Sequence, residues 1–232
     1  MEKGWITQMT QTNAPQFEDV STKKVLITGV SGFLGHHIVK SCAAKGWIIK
    51  GVDKRPIPYG HNFNLIPQTE FVQTDVFDLN YRDLMDCDYV IHLAWRTNIP
   101  DCVRHPEEST YQNIDMTVHL LELCKEAGIK KVIFPSTASL YAHNPTPWTE
   151  DMNLKPIEPY SWQKLAIEQL VSLYDFPIVV LRFFQIFGEF QRADTALAKF
   201  FKYRVEGKPV TLTKTDAQSS FRSGQRDFVY AG

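Results

Sequence analysis

The sequence predicts an α/β protein built on a doubly wound parallel sheet, with helices on both faces and a smaller region after it. Three observations carry that prediction. Six short apolar runs alternate with helical patterns, the arrangement of repeated βαβ units. The turn after the first run, "GVSGFLG" (29–35), holds three glycines at a spacing of three. The second run ends on a carboxylate, Asp53, 18 residues beyond the last of those glycines.

In chain order, "KKVLITG" (23–29) is the first strand and "FLGHHIVKSCAAKG" (33–46) a helix closed by a glycine. "WIIKGVD" (47–53) and "EFVQTD" (70–75) follow as strands, then "LNYRDLMD" (79–86) as a short helix and "DYVIHLAW" (88–95) as the fourth strand. The segment 97–109, with two prolines, reads as a loop near the ligand pocket. A longer helix covers 107–127, where Ile114, Val118 and Leu121 share a face. Strand five is "KKVIFPS" (130–136), the next helix "YSWQKLAIEQLVSLY" (160–174), and strand six "PIVVLRFF" (177–184). From 185 the pattern thins to a helix near 194–206, a strand "KPVTLT" (208–213) and a polar stretch.

Composition excludes several classes. The chain has 232 residues, 44% hydrophobic, enough to bury the core of one large domain. Its 25 basic and 26 acidic residues nearly cancel, and no basic run appears, so no nucleic-acid partner is expected. No run of 18 apolar residues occurs, so no membrane span is expected. Residues 1–22 lack the apolar stretch of a signal peptide and read as a flexible arm, which Trp5, Ile6 and Phe17 can pin to the body or to a partner. Cys42, Cys87, Cys102 and Cys124 form no CxxC pair and read as free thiols, with a reducing cytoplasm as the expected location. The seven histidines show no ligand spacing; His36 and His37 are read as facing different sides of their helix, and no metal is expected.

The glycine turn has a ligand logic. Gly29 permits a tight turn, Gly32 removes a side chain where a pyrophosphate would approach, and Gly35 lets helix and strand pack closely. The helix N-terminus behind it offers unpaired N–H groups to phosphate. Asp53 can hydrogen-bond both ribose hydroxyls and would repel a 2′-phosphate, so NAD is expected over NADP, while Lys54 and Arg55 keep NADP open.

Further along, "YSWQK" sets Tyr160 and Lys164 at i and i+4 on one helical face. A phenol with a pKa near ~10 is a poor base at neutral pH. A neighbouring ammonium and a positively charged nicotinamide ring would favour the phenolate, letting Tyr160 take a proton from a substrate hydroxyl. Lys164 also suits holding the nicotinamide ribose. Ser136 and Thr137, in "FPSTASLYA" (134–142), leave strand five at the edge where such sheets bind ligands. A threonine hydroxyl there can steady a substrate oxygen, or merely satisfy a turn.

The spacing GxxGxxG, with these residues, resembles the extended short-chain dehydrogenase/reductase family, the nucleotide-sugar epimerases and dehydratases, from residue 23 onward. The resemblance implies a Rossmann-type sheet and a cofactor site formed by Gly29, Gly32, Phe33, Leu34, Gly35 and Asp53, with Asp75 and Val76 at the adenine. It also implies that Leu93, Ala94 and Trp95 line the cofactor in "HLAW" (92–95), Trp95 being bulkier than the family's residue, and that Asn113 buttresses the central strands. Thr137, Tyr160 and Lys164 fall on the catalytic positions; Ser136, Gln185 and Arg226 fall on substrate positions, with Arg182 and Gly188 matching R-x-x-N-V-x-G-P. Gln185 replaces that motif's asparagine and Glu189 its proline, where a carboxylate near a diphosphate would be repulsive. Ala138 and Ser139 stand where dehydratases carry Asp-Glu, so a dehydratase is disfavoured.

The expectation is therefore an NAD-dependent epimerase of a nucleotide-activated sugar, working by transient hydride transfer. The alternatives are a dehydrogenase or reductase of another small hydroxy or keto compound, and a non-catalytic dinucleotide-binding scaffold. The expected division is an arm (1–22), a dinucleotide-binding domain (23–182) and a partial substrate-binding region (183–232), truncated after "RDFVYAG". A homodimer through the 107–127 and 160–174 helices is implied by the resemblance.

Overall fold

Alternation along the first strand decides how the layers assemble. Val25 and Ile27 point to one face and Leu26 to the other, and all three are fully buried. The first face packs with Val39 and Cys42 of the first helix, and with Ile49 and Phe63. The second packs with Leu120, Leu121 and Cys124 of a later helix, together with Val52, Val90 and Val132. A sheet apolar on both faces must be covered twice.

The computed structural model describes residues 22–58, 60–61, 63, 66–210 and 227–232. The strands are β1 (Lys24–Thr28), β2 (Ile48–Asp53), β3 (Thr69–Gln73), β4 (Tyr89–His92), β5 (Lys131–Thr137) and β6 (Ile178–Phe183). They form one parallel sheet in the order β3-β2-β1-β4-β5-β6. The helices are α1 (Phe33–Ala44), α2 (Ile99–Arg104), α3 (Pro106–Thr110), α4 (Met116–Ala127), α5 (Pro159–Leu170) and α6 (Ala196–Val205). Two short strands, β7 (Gln185–Phe187) and β8 (Phe228–Tyr230), pair in parallel outside the main sheet. From β1 the chain winds outward to β3, then crosses back to β4 and winds the other way. The loops after β1 and β4 therefore part and leave a crevice at the carboxyl edge.

Several expectations need correction. The helix expected over 79–86 is replaced by two short turns, Val76–Asp78 and Tyr81–Asp83. Asp75 and Asn80 each accept a backbone N–H and start a turn afresh, with Leu79 extended between them. The expected loop at 97–109 contains α2. Its Pro100 and Pro106 sit in the first turns of α2 and α3, where a missing N–H costs nothing. The long helix is interrupted by a wider π turn at Tyr111–Asp115, centred on the buried Asn113. β4 stops at His92 rather than at 95. Residues 208–210 are not a strand.

His36 and His37 do not diverge to different environments. Both are buried, with ring centres 5.3 Å apart, because α1 is overlaid by His61, Phe63, Glu189 and Phe190 as well as by the sheet. Residues 1–21, with Trp5, Ile6 and Phe17, lie outside the described residues, as do Arg226 and the rest of the 208–213 segment.

Candidate active site

At the carboxyl edge of the sheet lies a cleft of about 780 Å³. Gly29, Gly32, Phe33, Leu34, Gly35, Asp53, Asp75, Val76, Leu93, Ala94 and Trp95 all line it. So do Ser136, Thr137, Tyr160, Lys164 and Gln185, so residues spread over more than 150 positions meet in one space.

The glycine turn has the shape a diphosphate needs. Gly29 has φ +69°, and a Cβ there would stand 2.5 Å from the Ala94 nitrogen. A Cβ on Gly35 would meet the Val30 carbonyl at 2.3 Å. Those two glycines let the turn pack against β4 and against itself. Gly32 differs: a Cβ there meets only the Gly29 carbonyl at 3.1 Å and an Arg55 nitrogen at 3.8 Å, at the wall of the cleft. Bare backbone opening onto the cleft at the start of α1 fits a dinucleotide.

Asp53 is anchored. Its carboxylate accepts from the Ser31 N–H at 3.1 Å and the Arg55 N–H at 2.9 Å, and pairs with the Arg55 guanidinium at 3.3 Å. Lys54 pairs with Asp75 at 3.5 Å. Both cations that kept NADP open are exposed and paired with carboxylates, and the Asp53 carboxylate beside them would repel a 2′-phosphate.

The chemical end is built by α5 against β5. Glu158 caps α5, accepting from the Tyr160 and Ser161 N–H groups, and so fixes where Tyr160 enters the cleft. The phenol is pushed up to about 12 by burial and by the Glu158 carboxylate, while a hydrogen bond with Thr137 pulls it back. Thr137 also accepts from the Ser139 N–H at 3.1 Å, which sets its hydroxyl at the end of β5. The expectation that Lys164 eases Tyr160 toward phenolate meets a complication. The Lys164 nitrogen donates to the Pro135 carbonyl at 2.6 Å and sits 5.9 Å from the centre of the Tyr160 ring. Burial drives its pKa down.

Ser136 lines the cleft but gives its hydroxyl to Glu168. That carboxylate also holds Arg182 through both oxygens, and Arg182 donates to the Tyr141 hydroxyl at 2.7 Å. Reading the motifs alone missed this network, although Glu168 lies one further turn along the stripe Tyr160–Lys164–Glu168. Glu189, feared as a repulsive neighbour, does not line the cleft; its carbonyl accepts from His37.

Behind the site runs a buried polar chain. Thr117 donates to the Asn113 carbonyl at 2.6 Å, so it accepts from His92 Nε2–H at 3.0 Å. The other ring nitrogen, Nδ1, then accepts from Thr28 at 2.7 Å. This fixes a neutral ring, as does burial, which lowers the His92 pKa to about 3. Asn113 accepts from the Arg96 N–H at 2.7 Å and donates to Gln163 at 2.7 Å. It thereby ties the segment leaving β4 to α5.

The comparisons fit this geometry. The sequence is 31% identical over 222 residues to an uncharacterized UDP-glucose epimerase, YtcB, of Bacillus subtilis, covering 89% of this chain and 68% of that one. The fold superposes with TM-score 0.79 on a UDP-N-acetylglucosamine 4-epimerase from Methanobrevibacter ruminantium, at 30% identity over 90% of this chain and 69% of that one. It superposes with TM-score 0.78 on a Bacillus cereus UDP-glucuronic acid 4-epimerase in complex with UDP-glucuronic acid and NAD, at 30% identity over 90% and 69%. The family model whose description reads NAD dependent epimerase/dehydratase family matches residues 25–232, and this chain belongs to that family.

Proposed function

We propose that this chain is an NAD-dependent epimerase of a nucleotide-activated sugar, a UDP-sugar by likeness to its relatives' names. The observation that carries the reading is the meeting of Thr137, Tyr160 and Lys164 in the same cleft as the bare Gly32 turn and Asp53. NAD, when bound, supplies the hydride acceptor and donor. Gly32 and the N-terminus of α1 would hold its diphosphate and Asp53 its ribose.

Tyr160 removes the proton from the sugar hydroxyl and returns it. Thr137, which lines the same cleft, steadies the same oxygen as it gains carbonyl character. Lys164 supplies the positive charge that a phenolate at this depth needs. Ala138, buried and without a titratable group, leaves the position beside Thr137 unable to add the acid or base that water elimination requires. Gln185 would offer its amide to the sugar diphosphate, a role supported by its place in the cleft lining.

We further take residues 23–182 as the dinucleotide-binding unit and 183–232 as part of a substrate-binding region. Pairing of two copies fits the exposed Tyr111 and Trp162, 56% and 58% accessible beside the α4 and α5 faces that cover the sheet. No helix among the described residues is long and apolar enough to cross a membrane.

The test is to acid-quench the purified protein, identify the released nucleotide by mass spectrometry, and incubate the protein with UDP-glucose, UDP-glucuronic acid and UDP-N-acetylglucosamine. Retained NAD and a 4-epimer by NMR are expected. Net NADH accumulation with an oxidised sugar would replace the epimerase with a dehydrogenase.

A further inference from the structure

Lys164 is a buried cation of unusual surroundings. It is 3% accessible, and its nitrogen lies 3.6 Å from the centre of the Trp95 ring and 4.4 Å from that of Phe134. Its one hydrogen-bond partner among the described residues is the Pro135 carbonyl. Trp95 and Phe134 meet edge to face, ring centres 5.4 Å apart, and form two walls around the ammonium. The indole Nε1–H of Trp95 is buried with no partner among the described residues. The ring is therefore not placed to satisfy its own polar edge, and what it contributes is its face.

We propose that Trp95 is a positioning residue for the proton transfer at Tyr160: its indole face, backed by Phe134, holds the Lys164 ammonium beneath the phenol. The inference rests on the epimerase reading for its consequence in turnover, but not for its physical content. Burial drives Lys164 toward the neutral amine, and a neutral amine gives a phenolate no help. An aromatic face attracts the charged form only, Trp most strongly and Phe less. Held as an ammonium, Lys164 lowers the cost of ionising the phenol one helical turn away.

The other groups facing this pair do not supply that charge. Glu168, the next residue of the stripe on α5, favours the ammonium, but Arg182 and Ser136 already occupy its oxygens. His92, from β4, is a neutral ring bonded to two threonines. Glu158 and Cys102 both oppose ionisation of Tyr160, and the neutral Thr137 hydroxyl favours it without supplying charge.

The experiment follows Lys164 directly. Full-length protein labelled with ¹³C-lysine is titrated by NMR, the Lys164 ¹³Cε resonance being assigned by its loss in Lys164→Arg. Wild type, Trp95→Phe and Trp95→Leu are compared. The Lys164 midpoint is expected to fall by about one pH unit in Trp95→Leu and by less in Trp95→Phe. The acid limb of the kcat/KM profile for a UDP-sugar should move the opposite way, upward, because Tyr160 ionises less readily beside a neutral amine. Coincident lysine midpoints in the three proteins would overturn the proposal. So would lost activity in Trp95→Leu with an unmoved acid limb, since loose packing lowers a rate without shifting a midpoint. If Trp95→Leu does not fold, an unshifted midpoint in Trp95→Phe overturns it alone. The lysine titration needs no substrate, so a wild type that turns over no UDP-sugar would end the epimerase reading and leave this one to its own result.

Discussion

His36 has neither ring nitrogen satisfied and is packed by His61, Phe63 and Phe190, with ring centres 4.7, 6.0 and 4.3 Å away. Burial, then the positive potential of His61, His37 and Lys40, lowers its pKa to about 4. His92 falls to about 3 for the reasons already given. Between pH 6.5 and 4 the unfolded chain takes up a proton at each position and the folded chain does not. The unfolded state binds more protons, so stability must fall as pH falls through that window. Each such histidine contributes a slope of about 1.4 kcal/mol per pH unit, hence about 2 kcal/mol lost per ring by pH 5 and about 4 kcal/mol for the two. His61, lowered by the same causes, steepens the loss. Asp83, Asp88 and Asp101, held low by their partners, lose their contributions only at more acidic pH. Urea unfolding at pH 7.5 and pH 5 measures the difference. The perturbation is His36→Phe, which keeps the ring, removes two orphaned nitrogens and leaves one fewer buried base. It should be at least as stable as wild type at pH 7.5 and lose about 2 kcal/mol less on going to pH 5. An unchanged loss in His36→Phe would mean that His36 protonates as freely folded as unfolded, and the argument from burial would fail.

Tyr160→Phe is expected to lower turnover by ~10²–10⁴-fold while the purified protein keeps its nucleotide content, checked by the acid-quench assay. Asp53→Ser releases the Arg55 guanidinium at the ribose end, and competition binding should show the preference for NAD over NADP reduced by about tenfold or more. The four cysteines are all buried, and burial pushes the Cys124 thiol up to about 12, so Ellman's reagent should titrate none of them quickly until denaturant is added.

The sheet was legible because its signal is local and repeated. Each strand is a short apolar run, and Gly29, Asp53 and Tyr160 each belong to a motif of a few neighbouring residues. What escaped the sequence depended on distant partners. Pro100 and Pro106 carry the same signal in a loop and in the first turn of a helix; the Asn98 cap that decides between them becomes visible only once Asp101 donates to it. His36 and His37 followed helical spacing, which cannot anticipate that His61, Phe63, Glu189 and Phe190 lie over α1. The phenol's environment was only partly legible for a similar reason. Spacing placed Lys164 beside Tyr160, but Trp95, in the segment after β4, and Phe134 and Pro135 of β5 decide where its nitrogen rests.

The stripe Tyr160–Lys164–Glu168 explains how the site keeps its register. One helical face sets a phenol at the cleft, an ammonium below it and a carboxylate one turn deeper. Glu168, with an 8% accessible side chain, joins α5 to Arg182 on β6 and to Ser136 on β5, immediately before Thr137. The rotation of α5 and the position of Thr137 are thus fixed by the same carboxylate. Among the described residues, removing it leaves Arg182 with the Tyr141 hydroxyl and the Glu150 carbonyl, and a charge that is partly exposed and still hydrogen-bonded costs about 1–3 kcal/mol when its carboxylate is lost. Glu168→Leu should show that loss in urea unfolding. Glu168→Leu with Arg182→Met should recover most of it, because an apolar pair of similar size often replaces a buried ion pair without penalty. The recovered double variant should still turn over poorly, since its stability returns while the hydroxyl of Ser136 and the end of β5 have lost their anchor. Full activity in that variant would show that Glu168 serves stability alone and that Thr137 meets Tyr160 without its help.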